Sequence, residues 1–201
     1  MLPRLVIAAL ITLLCVACAS TPLRYAGYYD RARNIYWNPT AGFQLTLPPH
    51  WVTYATPQAF TVPQRLRPDQ EQVLEAYDPN AQLGLVIVVQ QGPVADVDTL
   101  VQRMQAVPEA PLTAYLASPT TTGFRQLEVR KTVINTHEAV EWLYAIQDTT
   151  GGQPLDITVH TYIFNVAGNY VHIAFSVPSP QYDSMNPTIA QVVQTFQAVT
   201  S

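Results

Sequence analysis

Among the residues that could do chemistry, the cysteines come first, because Cys15 and Cys18 are the only two in 201 residues. Both lie in an apolar run, Leu5–Ala19, which has no charged side chain and follows a single basic residue, Arg4. The run is shorter than the ~20 residues that a membrane-spanning helix requires, and this is typical of a signal peptide. The sequence therefore predicts that the chain is exported.

Two cleavage sites overlap at the end of this run. Val16-Ala17 places small residues before Cys18, as lipoprotein signal peptidase requires, although Cys15 stands where that site usually has leucine. Cleavage there would remove residues 1–17 as a signal peptide and leave Cys18 as a lipidated N-terminus. The competing site, Ala17-Cys18-Ala19, would be cut by the ordinary signal peptidase and give an unanchored protein. We favour the first site because it gives Cys18 a function.

A lipid on Cys18 would make the membrane the first partner of the protein. Acyl chains contribute ~0.8 kcal/mol per buried CH₂ group, so several chains would hold the protein on a bilayer almost permanently. Alanine rather than aspartate follows Cys18. We therefore expect the protein on the outer membrane, facing the periplasm, in a Gram-negative host, and on the cell membrane in a Gram-positive host.

The stretch His137-Glu138-Ala139-Val140-Glu141 falls one residue short of the zinc motif H-E-x-x-H. That motif needs both histidines on one helical face, whereas the context here is a strand, in which positions i and i+4 lie about 13 Å apart. A two-residue turn at Asn135-Thr136 would place Ile134 opposite His137 and Arg130 opposite Glu141. We expect an exposed hairpin end with an Arg130–Glu141 ion pair.

Asp156, His160 and His172 invite a metal ion, because a three-residue turn at Ala167–Asn169 would place them on one sheet face together with Tyr162. In that register the two histidines lie about 13 Å apart. One zinc ion has ligand bonds of ~2 Å and does not join them. We expect no metal, and partly buried, hydrogen-bonded histidines under a helix. A small-ligand or metal pocket near these residues is the alternative.

Other candidate sites are weaker. Arg65 and Arg67 lie in a proline-rich segment, Gln58–Asp69, and either hold a carboxylate or phosphate group or form a solvated loop. Without Arg4, nine cations oppose fourteen anions, and no run of basic residues occurs, which argues against nucleic-acid binding. No G-x-S-x-G is present and Ser176 is predicted inside a strand, so a hydrolase is the least favoured class.

Two helices are predicted from apolar residues that recur at i, i+3, i+4 and i+7. The first contains Val97, Leu100, Val101 and Met104, and the second contains Ile189, Val192, Val193 and Phe196. Asp96 or Asp98 would be the N-cap of the first helix. Asn186 would be the N-cap of the second, with Pro187 at its first position.

The rest of the chain is predicted to form strands. They cover Gly42–Leu47, Leu83–Gln90 and two hairpins, whereas Gln70–Tyr77 is either a strand or a short helical turn. The three-residue turn would pair Ile163 with Ile173 and Val159 with Val177. Both faces of the hairpin sheet are apolar or aromatic, so both need cover. We expect an α+β fold: a four-stranded antiparallel sheet with helices packed on both faces.

The order of these segments resembles one known family. GFQLTLPPHW (Gly42–Trp51), the helix DVDTLVQRM, the Gln126–Tyr144 hairpin and NYVHIAFSVPSPQYDSMNPTIAQVVQTF (Asn169–Phe196) follow one another. This is similar to the PsbP-like α/β/α domain, which includes photosystem II accessory proteins and bacterial lipoproteins without assigned activity. The resemblance implies a binding or assembly-assisting module rather than an enzyme. Thr136 departs from the turn glycine that is common there.

These patterns divide the chain into a signal peptide (1–17), a lipid-anchored tether (18–41) and a single PsbP-like domain (42–201). The tether contains five aromatic residues and three arginines, namely Tyr25, Tyr28, Tyr29, Tyr36, Trp37, Arg24, Arg31 and Arg33. It either packs its aromatic side chains on the domain or forms a membrane-proximal belt.

The function predicted is that of an exported, lipid-anchored, non-catalytic module that binds a protein partner, with the proline-rich segment and an aromatic sheet edge as contact surfaces. A periplasmic small-ligand or metal-binding protein is the alternative. We expect no catalytic residue and no cofactor. Candidate ligand or partner contacts are Arg65, Arg67, His160, Tyr162 and His172.

Overall fold

The computed structural model describes residues 24–54, 66–92, 94–106, 121–149 and 152–199 of the chain. Its strands are β1 (Tyr28–Asp30), β2 (Ile35–Asn38), β3 (Phe43–Thr46), β4 (Val52–Tyr54), β5 (Gln70–Asp78), β6 (Leu83–Gln91), β7 (Thr121–Ile134), β8 (His137–Asp148), β9 (Leu155–Val166), β10 (Asn169–Pro178) and β11 (Gln197–Ala198). Its helices are α1 (Val97–Ala106) and α2 (Tyr182–Val193). Neither of these described helices is long and apolar enough to cross a membrane.

All described strand pairs are antiparallel and form two sheets. The large sheet has seven strands in the order β4-β5-β6-β10-β9-β8-β7, and the small sheet has four in the order β1-β2-β3-β11. The expected single sheet of four strands was therefore too small. The undecided segment is strand β5, and β6 is buried over seven consecutive residues, as its continuous apolar sequence predicted.

The buried side chains form two clusters, and successive residues of the central strands belong alternately to one cluster and to the other. The first core contains Phe164, Ile173 and Phe175 of the large sheet, and also side chains of the small sheet and of α2. The second core contains Val159 and Ile163, and α1 packs against it. Because successive strand residues point to opposite faces, the two cores lie on opposite faces of the large sheet.

Helix α1 follows the prediction, and α2 does not. The Asp96 carboxylate accepts the backbone N–H of Thr99 at 2.8 Å, so Asp96 is the N-cap of α1. Helix α2 begins at Tyr182, and Pro187 lies inside it, so the predicted N-cap at Asn186 was wrong. A proline near a helix start removes a single backbone hydrogen bond, and burial of Ile189 and its neighbours on the first core outweighs that loss.

The β7–β8 hairpin has the predicted register. Ile134 pairs with His137, and Arg130 pairs with Glu141. Asn135 and Thr136 have φ angles of 45° and 71°, the left-handed conformation that both positions of a type I′ turn require. Asn135 also donates through Nδ2 to the carbonyl of Phe196 at 3.2 Å, which ties the hairpin tip to the chain after α2.

The β9–β10 register differs from the prediction by one residue. The turn has two residues rather than three, so Ile163 pairs with His172 and Val159 pairs with Ser176. A one-residue slip moves every side chain of a strand to the other face. His172 therefore lies on the face opposite His160, and the predicted grouping of the two histidines was wrong.

Residues 24–41 form part of the folded domain. Strand β2 pairs with β3, with Ile35 opposite Thr46 and Asn38 opposite Phe43. The domain boundary expected at residue 42 therefore lies inside a sheet. The Tyr36 hydroxyl donates to the carbonyl of Val73 at 3.0 Å, and both Tyr25 and Tyr36 are buried in the first core. Part of the aromatic segment thus packs on the domain.

Candidate functional site

A cluster of ionisable side chains lies beside the first core, with Glu141, His160 and Tyr162 buried and Arg130 exposed. The Glu141 carboxylate accepts hydrogen bonds from Arg130 Nε at 2.8 Å and from His160 Nε2 at 2.8 Å. The Tyr162 hydroxyl donates to the same carboxylate at 3.4 Å. The Tyr182 hydroxyl lies 3.0 Å from His160 Nδ1. We call these five residues the Glu141 cluster.

Three adjacent strands and one helix position the cluster. Glu141 on β8 pairs with Arg130 on β7 and with Tyr162 on β9, so the three side chains share one sheet face. His160 is two residues before Tyr162 and therefore points to that same face. Tyr182 is the first residue of α2, and it reaches His160 because this helix begins five residues earlier than the proline signal predicted.

Both ring nitrogens of His160 have hydrogen-bond partners in the cluster. The ionised Glu141 carboxylate can only accept, so His160 Nε2 donates to it, and Nδ1 pairs with the Tyr182 hydroxyl. His160 is 3% exposed and Glu141 is 9% exposed. Every hydrogen-bonding atom of the imidazole is therefore used inside the protein, and the ring offers no free nitrogen to a substrate.

The electrostatics of the cluster favour an ionised Glu141 and protonated tyrosines. Burial alone would raise the pKa of Glu141, but hydrogen bonds and charge from His160 and Arg130 lower that pKa to about 2. Burial, together with the Glu141 charge, raises the pKa of Tyr162 far above its ordinary value, and burial likewise raises the pKa of Tyr182. Both phenols hold their protons at neutral pH, and the Tyr182–His160–Glu141 chain has the connectivity of a catalytic triad.

The sequence patterns predicted this cluster incompletely. They gave the Arg130–Glu141 pair correctly but at an exposed hairpin end, whereas Glu141 is buried. The helix start predicted at Pro187 also left Tyr182 outside α2. Pairing of β8 with β9 would have revealed the cluster, because Glu141 lies directly opposite Tyr162.

Arg67 and His172, two of the candidate contacts predicted from the sequence, are connected through Gln90 and Asp69 on the opposite face of the large sheet. His172 Nε2 lies 3.2 Å from the side-chain oxygen of Gln90, whose amide nitrogen donates to Asp69 at 3.1 Å. Arg67 Nε donates to the same aspartate at 3.0 Å. Burial, and to a smaller extent the Arg67 charge, lowers the pKa of His172 to about 4. His172 is thus neutral at physiological pH.

The structure does not assemble the metal site considered from the sequence. His160 and His172 lie on opposite faces, and Asp156 is exposed and accepts a hydrogen bond from Gln147 at 3.0 Å. Within the described residues, no three His, Cys, Asp or Glu side chains are grouped to hold a metal ion. Cys18 and Arg65 lie outside the described residues.

The fold is comparable with solved structures, although sequence comparison gives nothing. No model of a known protein family matches the sequence, and no curated protein matches it. The solution structure of cyanobacterial PsbP (CyanoP) from Synechocystis sp. PCC 6803 superposes with a TM-score of 0.57 at 11% identity, covering 90% of this chain and 96% of that chain. The chain has a PsbP-like fold. The resemblance noted from the sequence is confirmed at the level of the fold.

Two further structures have lower similarity to this PsbP-like domain. A protein from Bacteroides thetaiotaomicron gives a TM-score of 0.48 at 12% identity, over 89% of this chain and 50% of that chain. LpqN, described as involved in cell envelope biogenesis of Mycobacterium tuberculosis, gives 0.44 at 10% identity, over 79% and 83%. We base the fold assignment on CyanoP alone.

Proposed function

We propose that this protein is an exported, lipid-anchored, non-catalytic PsbP-like domain that binds a protein partner at the cell envelope. The observation that carries the proposal is the closed Glu141 cluster. It contains the side-chain types of an acid–base site, yet its histidine is only 3% exposed and has both ring nitrogens bonded to neighbouring side chains. We propose that such a buried, internally bonded cluster stabilises the fold.

The fold supports the same proposal. PsbP-like domains include accessory proteins, and this chain places one helix against each core of its large sheet. We further propose that α1 and α2 are outer layers on the two faces of that sheet, as in the α/β/α arrangement that the sequence suggested. Both faces are then covered in part by helices, which leaves sheet edges as natural contact surfaces.

The contact surface we propose is the outer edge of β7. Among the described strands, β7 pairs with β8 alone, so its other side carries no strand. Leu127 and Val133 on this strand are 45% and 59% exposed. The β7–β8 ladder has register shifts at Thr121/Gly123 and Gln126/Glu128. Bulges oppose the addition of a further strand, so we propose side-chain contacts with the partner.

Lipidation is tested by replacing Cys18 with alanine in the native host. We expect this variant to lose its acyl mass and to leave the membrane fraction, because no other residue of the mature N-terminus carries a thiol. The measurements are mass spectrometry of the mature N-terminus and immunoblots of membrane and soluble fractions. Cys15→Ala is the matched control and should remain lipidated. An unmodified N-terminus at Ser20 in the wild-type protein contradicts the proposal.

Partner binding is tested with the lipidated protein as bait in crosslinked native membranes. We expect a Leu127→Asp/Val133→Asp variant to lose a crosslinked species that the wild-type protein forms, because charge is introduced into the centre of the contact. Leu155→Asp is the control, since Leu155 is 48% exposed on another strand. A species retained by the β7 variant places the contact elsewhere on the domain.

A further inference from the structure

The small sheet has an outer face that points away from the body of the protein. Its inner residues, such as Tyr36 and Phe43, are buried in the first core. The outer face therefore carries the alternate residues. One row across the sheet is uncharged and consists of Tyr28, Trp37, Gln44 and Gln197.

Two aromatic side chains lie on the β1–β2 half of this face. Tyr28 is 56% exposed, and its ring meets the ring of Trp37 edge-on, with centroids 5.1 Å apart. The only charged residue among the strand positions of this face is Asp30. Its carboxylate is turned to the β1–β2 loop, where it accepts the backbone N–H of Ala32 at 2.9 Å. The face thus has the uncharged, amphipathic aromatic surface that suits a membrane–water interface.

Two exposed arginines, Arg31 and Arg33, lie in the β1–β2 loop at the end of the small sheet. The Arg33 side chain is 78% exposed and 3.9 Å from Asp30. Arg31 lies near Tyr29, Trp51 and Val52. With Arg24, residues 24–38 contain three cations and one anion, a charge of +2. The rest of the mature chain has six cations and thirteen anions, a charge of −7. A negatively charged surface therefore attracts this segment of the chain more than the remainder.

The chain reaches β1 through Arg24 and Tyr25, which lie against β5 of the large sheet. The backbone N–H groups of Arg24 and Tyr25 donate to the Glu71 carboxylate at 2.9 and 3.1 Å, which fixes the entry point on the domain. Only residues 19–23 separate Cys18 from Arg24. Fully extended, this connection spans at most ~20 Å. A lipid on Cys18 would therefore hold the small sheet next to the bilayer.

We propose that the outer face of the small sheet, with Tyr28 and Trp37 on its β1–β2 half and Arg31 and Arg33 in the adjoining loop, docks on an anionic phospholipid bilayer. The inference deepens the proposed function, since it uses the position of the lipid on Cys18. The acyl chains hold the protein on the membrane, and this face sets its orientation. The guanidinium groups contact lipid phosphates, and the two rings lie at the level of the headgroups.

The test uses the full mature chain with Cys18→Ser, which has no lipid, and vesicles of equal parts phosphatidylglycerol and phosphatidylethanolamine. We expect the protein to co-sediment with these vesicles at low salt and not with phosphatidylcholine vesicles. Arg31→Glu/Arg33→Glu should lower the partition coefficient by about 30-fold or more, because each arginine near an anionic surface contributes about fivefold. Added salt should weaken the binding of the unsubstituted chain.

Matched variants make the result specific. Arg103→Glu/Arg125→Glu changes the net charge equally at two exposed arginines outside the small sheet and should change binding much less. Arg31→Gln/Arg33→Gln should give an intermediate loss, and Tyr28→Ser a further one. Equal loss in both glutamate variants, or equal binding to phosphatidylcholine, overturns the inference. The test protein carries no lipid, so failure to bind vesicles does not contradict the lipidation of Cys18. In the same way, failed lipidation in cells does not contradict vesicle binding by the small sheet.

Discussion

Replacing Glu141 with glutamine is expected to lower the free energy of unfolding by about 3 kcal/mol at neutral pH. The carboxylate accepts hydrogen bonds from Arg130 and His160, both at 2.8 Å. A neutral amide satisfies one of these donors and leaves the other without its charge partner, in a place where His160 is almost fully buried. Leaving a buried hydrogen-bonding group without its partner costs more than breaking an exposed ion pair.

Urea denaturation of the wild-type protein and the variant measures this loss. Glu128→Gln is the matched control, because Glu128 also contacts Arg130, at 3.3 Å, but its side chain is 48% exposed. We expect the control to change the free energy of unfolding by less than about 0.5 kcal/mol. Equal effects of the two substitutions would show that the Glu141 cluster contributes no more than a surface ion pair.

The stability difference between the wild-type protein and Glu141→Gln is expected to depend on pH. The pKa of Glu141 is lowered from 4.5 to about 2 in the folded protein. A group with a depressed pKa stabilises the fold above its unfolded pKa and loses that contribution as the pH falls through the folded value. The difference in stability between wild type and Glu141→Gln should therefore shrink from about pH 5 down to about pH 2. A constant difference over this range contradicts the assignment.

Phe196→Ala is expected to destabilise the protein by about 4 kcal/mol. Phe196 is fully buried, and its ring stacks on Phe164 of the large sheet with centroids 3.8 Å apart. The same ring stacks on Phe43 of the small sheet at 6.0 Å, and His137 meets it edge-on at 5.9 Å. The side chain thus joins the two sheets and the tip of the β7–β8 hairpin.

Thermal and urea unfolding of Phe196→Ala and Phe196→Leu separate volume from aromatic stacking. We expect the leucine variant to lose only about 1–2 kcal/mol, because it fills most of the cavity. If the small sheet is held mainly through this ring, amide exchange in β1–β3 should accelerate more in the alanine variant than exchange in β9 and β10. Uniform acceleration throughout the domain would contradict that role.

The sequence determined the features that depend on neighbouring residues. Asp96 caps α1 because its carboxylate needs to reach only the backbone of Thr99. The β7–β8 register follows from the two-residue turn at Asn135-Thr136, and the burial of β6 follows from its continuous apolar residues. These are local patterns, and each has the same physical consequence wherever the segment is placed in the fold.

Only the tertiary structure decided which segments meet. The β9–β10 turn differs by one residue from the expected one, and that difference moved His172 to the face opposite His160. The Glu141 cluster needs the pairing of β8 with β9 and the early start of α2, both set by burial on the first core. The pairing of β2 with β3 likewise includes residues 35–38 in the folded domain, which the domain boundary predicted at residue 42 excluded. Contacts between distant segments depend on the summed packing of the whole core, which no local pattern contains.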